Sequence, residues 1–155
     1  MKGKPEIIVA LNARLIDELT GINQYSVHRA LVANWEYPGL VSYIQERLDD
    51  EVRHYNLLLD RILFLEGTPV VGRLNLVTIG ENVPQMHEFD RTAEENIVQA
   101  YNENIELCRE LKDDDTRRRL ESILADETDH LHDLEANLKQ IEQMTLANYL
   151  SAKIV

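Results

Sequence analysis

The sequence predicts an all-α fold: four long helices packed as a bundle, one long crossover between the second and third, and a short fifth helix at the C-terminus. Three observations predict it. Apolar residues recur at steps of three, four and seven over four long stretches. Glycine and proline are scarce, at six and four residues, and they cluster between those stretches. The connection within each half is a short turn, whereas the one between the halves is long and partly apolar. At 155 residues, with 44% hydrophobic and 28% charged content, the chain reads as one globular domain over 1–155, large enough for a real core.

The first helix is expected over residues 5–34, with Leu11, Leu15, Glu18, Ile22, Tyr25 and Val32 on one face. The run Asn34-Trp35-Glu36-Tyr37-Pro38-Gly39 turns the chain back, so the second helix lies antiparallel to the first. That helix runs to about residue 66 along Ile44, Leu48, Glu51, Tyr55, Leu58, Ile62 and Leu65, and Gly67 is expected to close it. Residues 67–82 lack helical periodicity. A connection of that length can travel along a bundle and let the second and third helices run parallel. Asn82 is the expected cap of the third helix, with Pro84 in its first turn. Its face carries Met86, Asp90, Glu94, Ile97, Tyr101, Ile105 and Cys108. Asp113–Asp115 suit the positive end of the fourth helix, whose face reads Leu120, Ile123, Glu127, Leu131, Leu134, Leu138 and Ile141. Thr145 is the expected cap of the short fifth helix.

The net charge of −12 argues against broad nucleic-acid binding and suits cations as partners. One cysteine, Cys108, supplies neither an internal disulfide nor a multi-thiolate zinc site, which points to a reducing compartment. The apolar run Ile7–Leu11 is too short for a signal-peptide core, and nothing reaches the length of a membrane span. A cytoplasmic protein with no membrane partner is expected.

Four glutamates interrupt the apolar stripes. Glu18 precedes Glu51-x-x-His54 by 33 residues, and Glu94 precedes Glu127-x-x-His130 by the same 33. The two sets are offset by 76 residues throughout, which suggests two copies of one helix pair facing each other. Burying several ionised carboxylates together is costly unless cations sit among them. Each histidine lies one turn after its glutamate, so one helix can present both to a metal ion. One Glu from each of two helices and Glu-x-x-His from each of the other two is the pattern of di-iron and di-manganese carboxylate bundles. Oxygen and imidazole ligands favour iron or manganese over copper(I). A lone Glu-x-x-His is usually a surface pair, and Asp129-x-x-His132, which lies off the stripe, is read as solvent-facing. The Arg117–Arg119 run is read as solvated helix-end charge.

With those residues in hand, the chain resembles a bacterioferritin, of the ferritin-like superfamily, over nearly its whole length. The matching blocks include Gly21-Ile22-Asn23-Gln24-Tyr25, Asn34-Trp35, Arg61-Ile62-Leu63-Phe64-Leu65-Glu66-Gly67, Ile79-Gly80-Glu81 and Asn148-Tyr149-Leu150. The resemblance implies a ferritin-like four-helix subunit in a hollow homo-oligomeric shell of about 24 copies. It implies oxidation of Fe(II) by dioxygen or hydrogen peroxide at a di-iron ferroxidase centre within the subunit, with the Fe(III) stored as mineral. Glu18, Glu51, His54, Glu94, Glu127 and His130 match that centre. Glu51 and Glu127 would bridge, with Glu18 and His54 completing one site and Glu94 and His130 the other. Tyr25 and Trp35 match a tyrosine near the centre and a tryptophan linked to electron donation. Glu46 and Asp50 are candidates for passing iron inward, although exposed helix acids are the simpler reading.

One departure concerns haem. Family members ligate haem b between paired subunits through a methionine that follows the first bridging glutamate, and here that residue is Val52. The bis-methionine haem is therefore not expected in a homo-oligomer. A mixed shell with a haem-bearing paralogue is one alternative. Another is a di-iron oxidase or peroxidase acting on a small substrate. Rubrerythrin-like proteins, however, append a four-cysteine domain that one cysteine cannot supply. DNA-protecting miniferritins are disfavoured, because they build the iron site between subunits and this chain has no basic tail.

Overall fold

The computed structural model describes residues 1–155 as five helices and no strand: α1 Pro5–Asn34, α2 Pro38–Phe64, α3 Val83–Glu110, α4 Asp114–Met144 and α5 Leu146–Ser151. The expected all-α bundle with one long crossover and a short fifth helix is what the chain adopts. Prolines open α1, α2 and α3, where the missing N–H costs nothing. Asn82 caps α3 by accepting from Gln85 N at 3.0 Å, and Asp113 caps α4 by accepting from Thr116 N at 3.1 Å.

Side-chain pairs fix the directions. Arg47 meets Asp133, Arg53 meets Asp126, and Arg61 meets Asp115, so α2 and α4 run antiparallel. His28 meets Asp90, Tyr25 meets Glu94, and Arg14 meets Asn104, so α1 and α3 are antiparallel too. With α1 and α2 antiparallel through their short turn, α2 and α3 run parallel.

The crossover makes that possible. Its backbone N–H groups donate to side chains spaced along one face of α1. Val70 reaches Asn12 at 2.7 Å, Asn75 reaches Thr20 at 3.0 Å, Thr78 reaches Gln24 at 3.1 Å, and Gly80 reaches His28 at 3.0 Å. Sixteen helical residues separate Asn12 from His28, a rise of about 24 Å. The ten crossover residues that cover it advance about 2.4 Å each, more than a helix allows, so the segment is drawn out along α1. Gly80 is required where the crossover meets α3, since a Cβ there would stand 2.4 Å from Met86 N.

Two expectations about helix ends are corrected. Gly67 does not close α2: Glu66 adopts the left-handed conformation at φ 59, and Gly67 N donates back to Ile62 O at 2.9 Å. Gly67 is small for another reason, because a Cβ would stand 2.8 Å from Ile8 Cγ2. Thr145 precedes α5 at φ 70 and makes no side-chain cap; only its carbonyl accepts, from Tyr149 N at 3.0 Å. Ile22, expected on the buried face of α1, is only half-buried, while Gln24 and His28 are buried in the crossover contacts.

The apolar interior is divided. One cluster, around Leu11, Leu15, Leu58, Ile62, Ile105 and Ile123, fills the end where α1 begins. A second, around Val32, Leu40, Ile44, Val83, Met86 and Tyr149, fills the other end. The buried glutamates and histidines lie between them.

Candidate metal centre

The 3.6-residue repeat brings Glu18 from α1, Glu51 and His54 from α2, Glu94 from α3, and Glu127 and His130 from α4 to one level of the bundle. All six are buried, at 0–1% exposure. Their ligand atoms fall into two overlapping groups. Glu18, Glu51, His54 and Glu127 form one, and Glu51, Glu94, Glu127 and His130 the other, each with atoms within 4.8 Å of one another. Glu51 and Glu127 belong to both.

Eight of the inward-facing atoms have no hydrogen-bond partner: one oxygen each of Glu18 and Glu94, both oxygens of Glu51 and of Glu127, and Nδ1 of each histidine. They face one another instead: His54 Nδ1 lies 2.8 Å from Glu127 Oε1 and His130 Nδ1 3.2 Å from Glu127 Oε2, and carboxylates buried at this density need a counter-charge. The atoms that do have partners are the outward ones. Tyr25 donates to Glu94 Oε1 at 2.5 Å, and Tyr101 donates to Glu18 Oε1. His54 Nε2 lies 2.9 Å from Asp126 Oδ2, and His130 Nε2 lies 3.0 Å from Asp50 Oδ2. An aspartate behind each ring holds the proton on Nε2 and leaves Nδ1 to face inward, the usual way a ligating imidazole is oriented. The residues present fit a pair of metal ions.

The electrostatics agree. Burial raises Glu51 well above the ordinary carboxylate range, and Glu127, Glu18 and Glu94 push it further. Burial, with Glu94 and Glu18, lifts Glu127 to about 8. Burial pulls His54 and His130 down, but the carboxylates around them win. Glu127 and Glu18 lift His54 to about 11, and Glu127 and Glu94 lift His130 to about 10. Without metal, the cluster balances its charge by holding protons.

A cavity of about 330 Å³ between α1, α3 and the crossover reaches Glu51 and Glu94, and Arg14, Asp17, Asn75 and Asn96 also line it. Gly21 borders it, and a Cβ there would stand 2.5 Å from Glu51 Oε2. Trp35 caps α1 and packs with the apolar cluster around Val32 and Leu40. Glu46, Asp129 and His132 are exposed, away from the buried six.

The ferritin-like domain family matches residues 8–144. The chain belongs to the bacterioferritins. It is 39% identical over 154 residues to the bacterioferritin of Streptomyces coelicolor, covering 99% of this chain and 92% of that one. It is 36% identical over 155 residues to the bacterial ferritin of a Synechocystis strain, covering 99% of each. The bacterioferritin of Mycobacterium leprae is 34% identical over 144 residues, 93% of this chain and 91% of that one.

Tyr101 and Asp126 are new members of this bacterioferritin's centre, and Asp50 stands behind His130 with about a third of its side chain exposed. A signal for them existed. Tyr101 is Tyr25 displaced by the same 76 residues, and Asp126 is Asp50 displaced by 76. The repeat extends to the groups that hold the inward-facing ones.

Proposed function

We propose that this bacterioferritin is an iron-storage protein and ferroxidase, its four long helices acting as one di-iron unit. The carrying observation is the set of eight inward-facing ligand atoms, divided between two groups that share Glu51 and Glu127. Fe(II) is the substrate. Glu18 and His54 would hold one ion and Glu94 and His130 the other, with Glu51 and Glu127 spanning both. Each ion gives up one electron. Two electrons and two protons convert dioxygen to hydrogen peroxide, or hydrogen peroxide to two waters. Four carboxylates attract Fe(III) more strongly than Fe(II), which favours the oxidised products. The cavity against Glu51 and Glu94 offers an approach for ion and oxidant. The stored product would accumulate as mineral inside a shell of about 24 subunits, the symmetric assembly the family resemblance implies.

Stopped-flow absorbance with Fe(II) and air tests the reading. A fast phase saturating at two Fe(II) per chain is expected in the wild type. Glu94→Ala and Glu127→Ala are expected to abolish it. Unchanged fast phases in both variants would remove the centre from the mechanism. Native mass tests the shell, and a monomer or dimer would favour an oxidase acting on a small substrate. Val52, 42% exposed beside buried Glu51, offers an apolar contact but no sulfur to haem. A homo-oligomer would carry no bis-methionine haem, and co-purification of a haem-bearing second subunit would support a mixed shell.

A further inference from the structure

The internal repeat breaks beside the centre at Arg53. Each inward-facing histidine is held from behind by an aspartate of the opposite half, His54 by Asp126 and His130 by Asp50. Displacing Arg53 by the same 76 residues lands on Asp129, an acid rather than a base. One guanidinium therefore serves both halves. Arg53 Nη2 donates to Asp50 Oδ1 at 2.8 Å and to Asp126 Oδ2 at 2.9 Å. Asp126 thus accepts from His54 and Arg53 on one oxygen, while Asp50 uses one oxygen for each partner.

This bridge contributes little to holding the fold. The Arg53 side chain is 49% exposed and the two aspartates are about a third exposed, where ion pairs are worth about 0–1 kcal/mol. Its geometry does something else. Two aspartates next to four buried glutamates repel one another, and each has water to turn toward. A cation between them keeps both turned inward, so each Nε2–H stays engaged and each Nδ1 stays turned toward the four glutamates.

We propose that Arg53 is a positioning residue that orients both metal-facing histidines at once, coupling the two ion sites through a single side chain. The proposal rests on the two-metal reading of the centre. Titration of Co(II) into the whole chain, followed by visible absorbance, tests it without any turnover. Arg53→Gln is expected to weaken both Co(II) equivalents about tenfold. Arg53→Lys, whose ammonium can touch the same two carboxylates, is expected to stay within about twofold of the wild type. Metal-free Arg53→Gln should melt within about 2 °C of the wild type, since the bridge is exposed. Asp126→Ala should weaken one equivalent only. Full Co(II) affinity in Arg53→Gln, a loss confined to one equivalent, or no rescue by lysine overturns the proposal. A wild-type chain that takes up fewer than two Co(II) overturns the two-metal reading instead.

Discussion

An added methyl at Gly21 would stand 2.5 Å from Glu51 Oε2, so the carboxylate would have to move. Alanine is also the better helix former, by about 1 kcal/mol. Gly21→Ala is therefore expected to leave the metal-free protein as stable or more so, while shrinking the rise in Tm on adding Mn(II) and slowing Fe(II) oxidation. Equal metal responses in variant and wild type would show that Glu51 has room to spare. Protonation works on the same atoms. His54 and Glu127 have folded values, about 11 and about 8, above their ordinary 6.5 and 4.5. Both therefore favour the metal-free fold below those ordinary values, and that contribution is lost as pH rises through about 8 and then about 11. Metal ions compete with the same protons. The Tm rise on adding Mn(II) is expected to grow between about pH 6 and about pH 8, and a flat response would contradict it. The meeting of the six side chains was legible because ligand-type residues lay on apolar stripes at a fixed offset. Tyr101 and Asp126 were legible by that offset too, although neither belongs to the Glu-x-x-His pattern.

Three helices end the same way. After α1, α2 and α3 the chain passes through a left-handed residue, Glu36, Glu66 or Lys112, at φ 63, 59 and 57. The next N–H then donates back across the last turn: Tyr37 to Val32, Gly67 to Ile62, and Asp113 to Cys108, at 3.0, 2.9 and 2.9 Å. None of the three is glycine, and a side chain in that conformation costs about 1 kcal/mol or more. Lys112→Gly is expected to stabilise the protein by about 1 kcal/mol in urea unfolding, with no change in metal uptake. Sequence punctuation misleads here because glycine normally marks the left-handed site, whereas Gly67 is needed one residue later for contact with Ile8. The crossover's course along the bundle was legible from its length, but what holds it there was not. Its partners on α1, Asn12, Thr20, Gln24 and His28, look like ordinary surface polar residues until the extended segment lies against them. At the far end, His87 ties α5 to the bundle. Tyr149 donates to Asn137 Oδ1 at 2.5 Å, which leaves its oxygen to accept from His87 Nε2 at 2.9 Å. Burial, with Lys153 and His28, lowers His87 to about 4. A depressed imidazole favours the fold above 6.5, and this is lost as pH falls through about 4. Acidification over that window is expected to loosen α5 first, read as faster proteolysis near Thr145; His87→Gln should flatten the dependence.

Across the whole molecule, charge and packing meet at one level. The chain carries a net −12, and its buried carboxylates sit between two apolar clusters rather than at either end. No helix is long and apolar enough to cross a membrane. Metal bound only by the folded chain adds to its stability, by about 2.7 kcal/mol at a hundredfold excess over Kd. Removing metal with a chelator is expected to lower Tm, and the loss should be smaller in Glu94→Ala, where one of the two ligand groups is incomplete. The division of the interior has a mechanical consequence. An ion-free bundle is clamped at both ends by oily side chains, whereas its waist is filled by polar groups that bury little apolar surface and stay inside only while they hold protons, so it should open in the middle before it frays. Amides of α2 and α4 near Glu51 and Glu127 would then exchange hydrogen sooner than those near Ile62 or Ile123. Adding ions would rivet the waist shut and reverse that order.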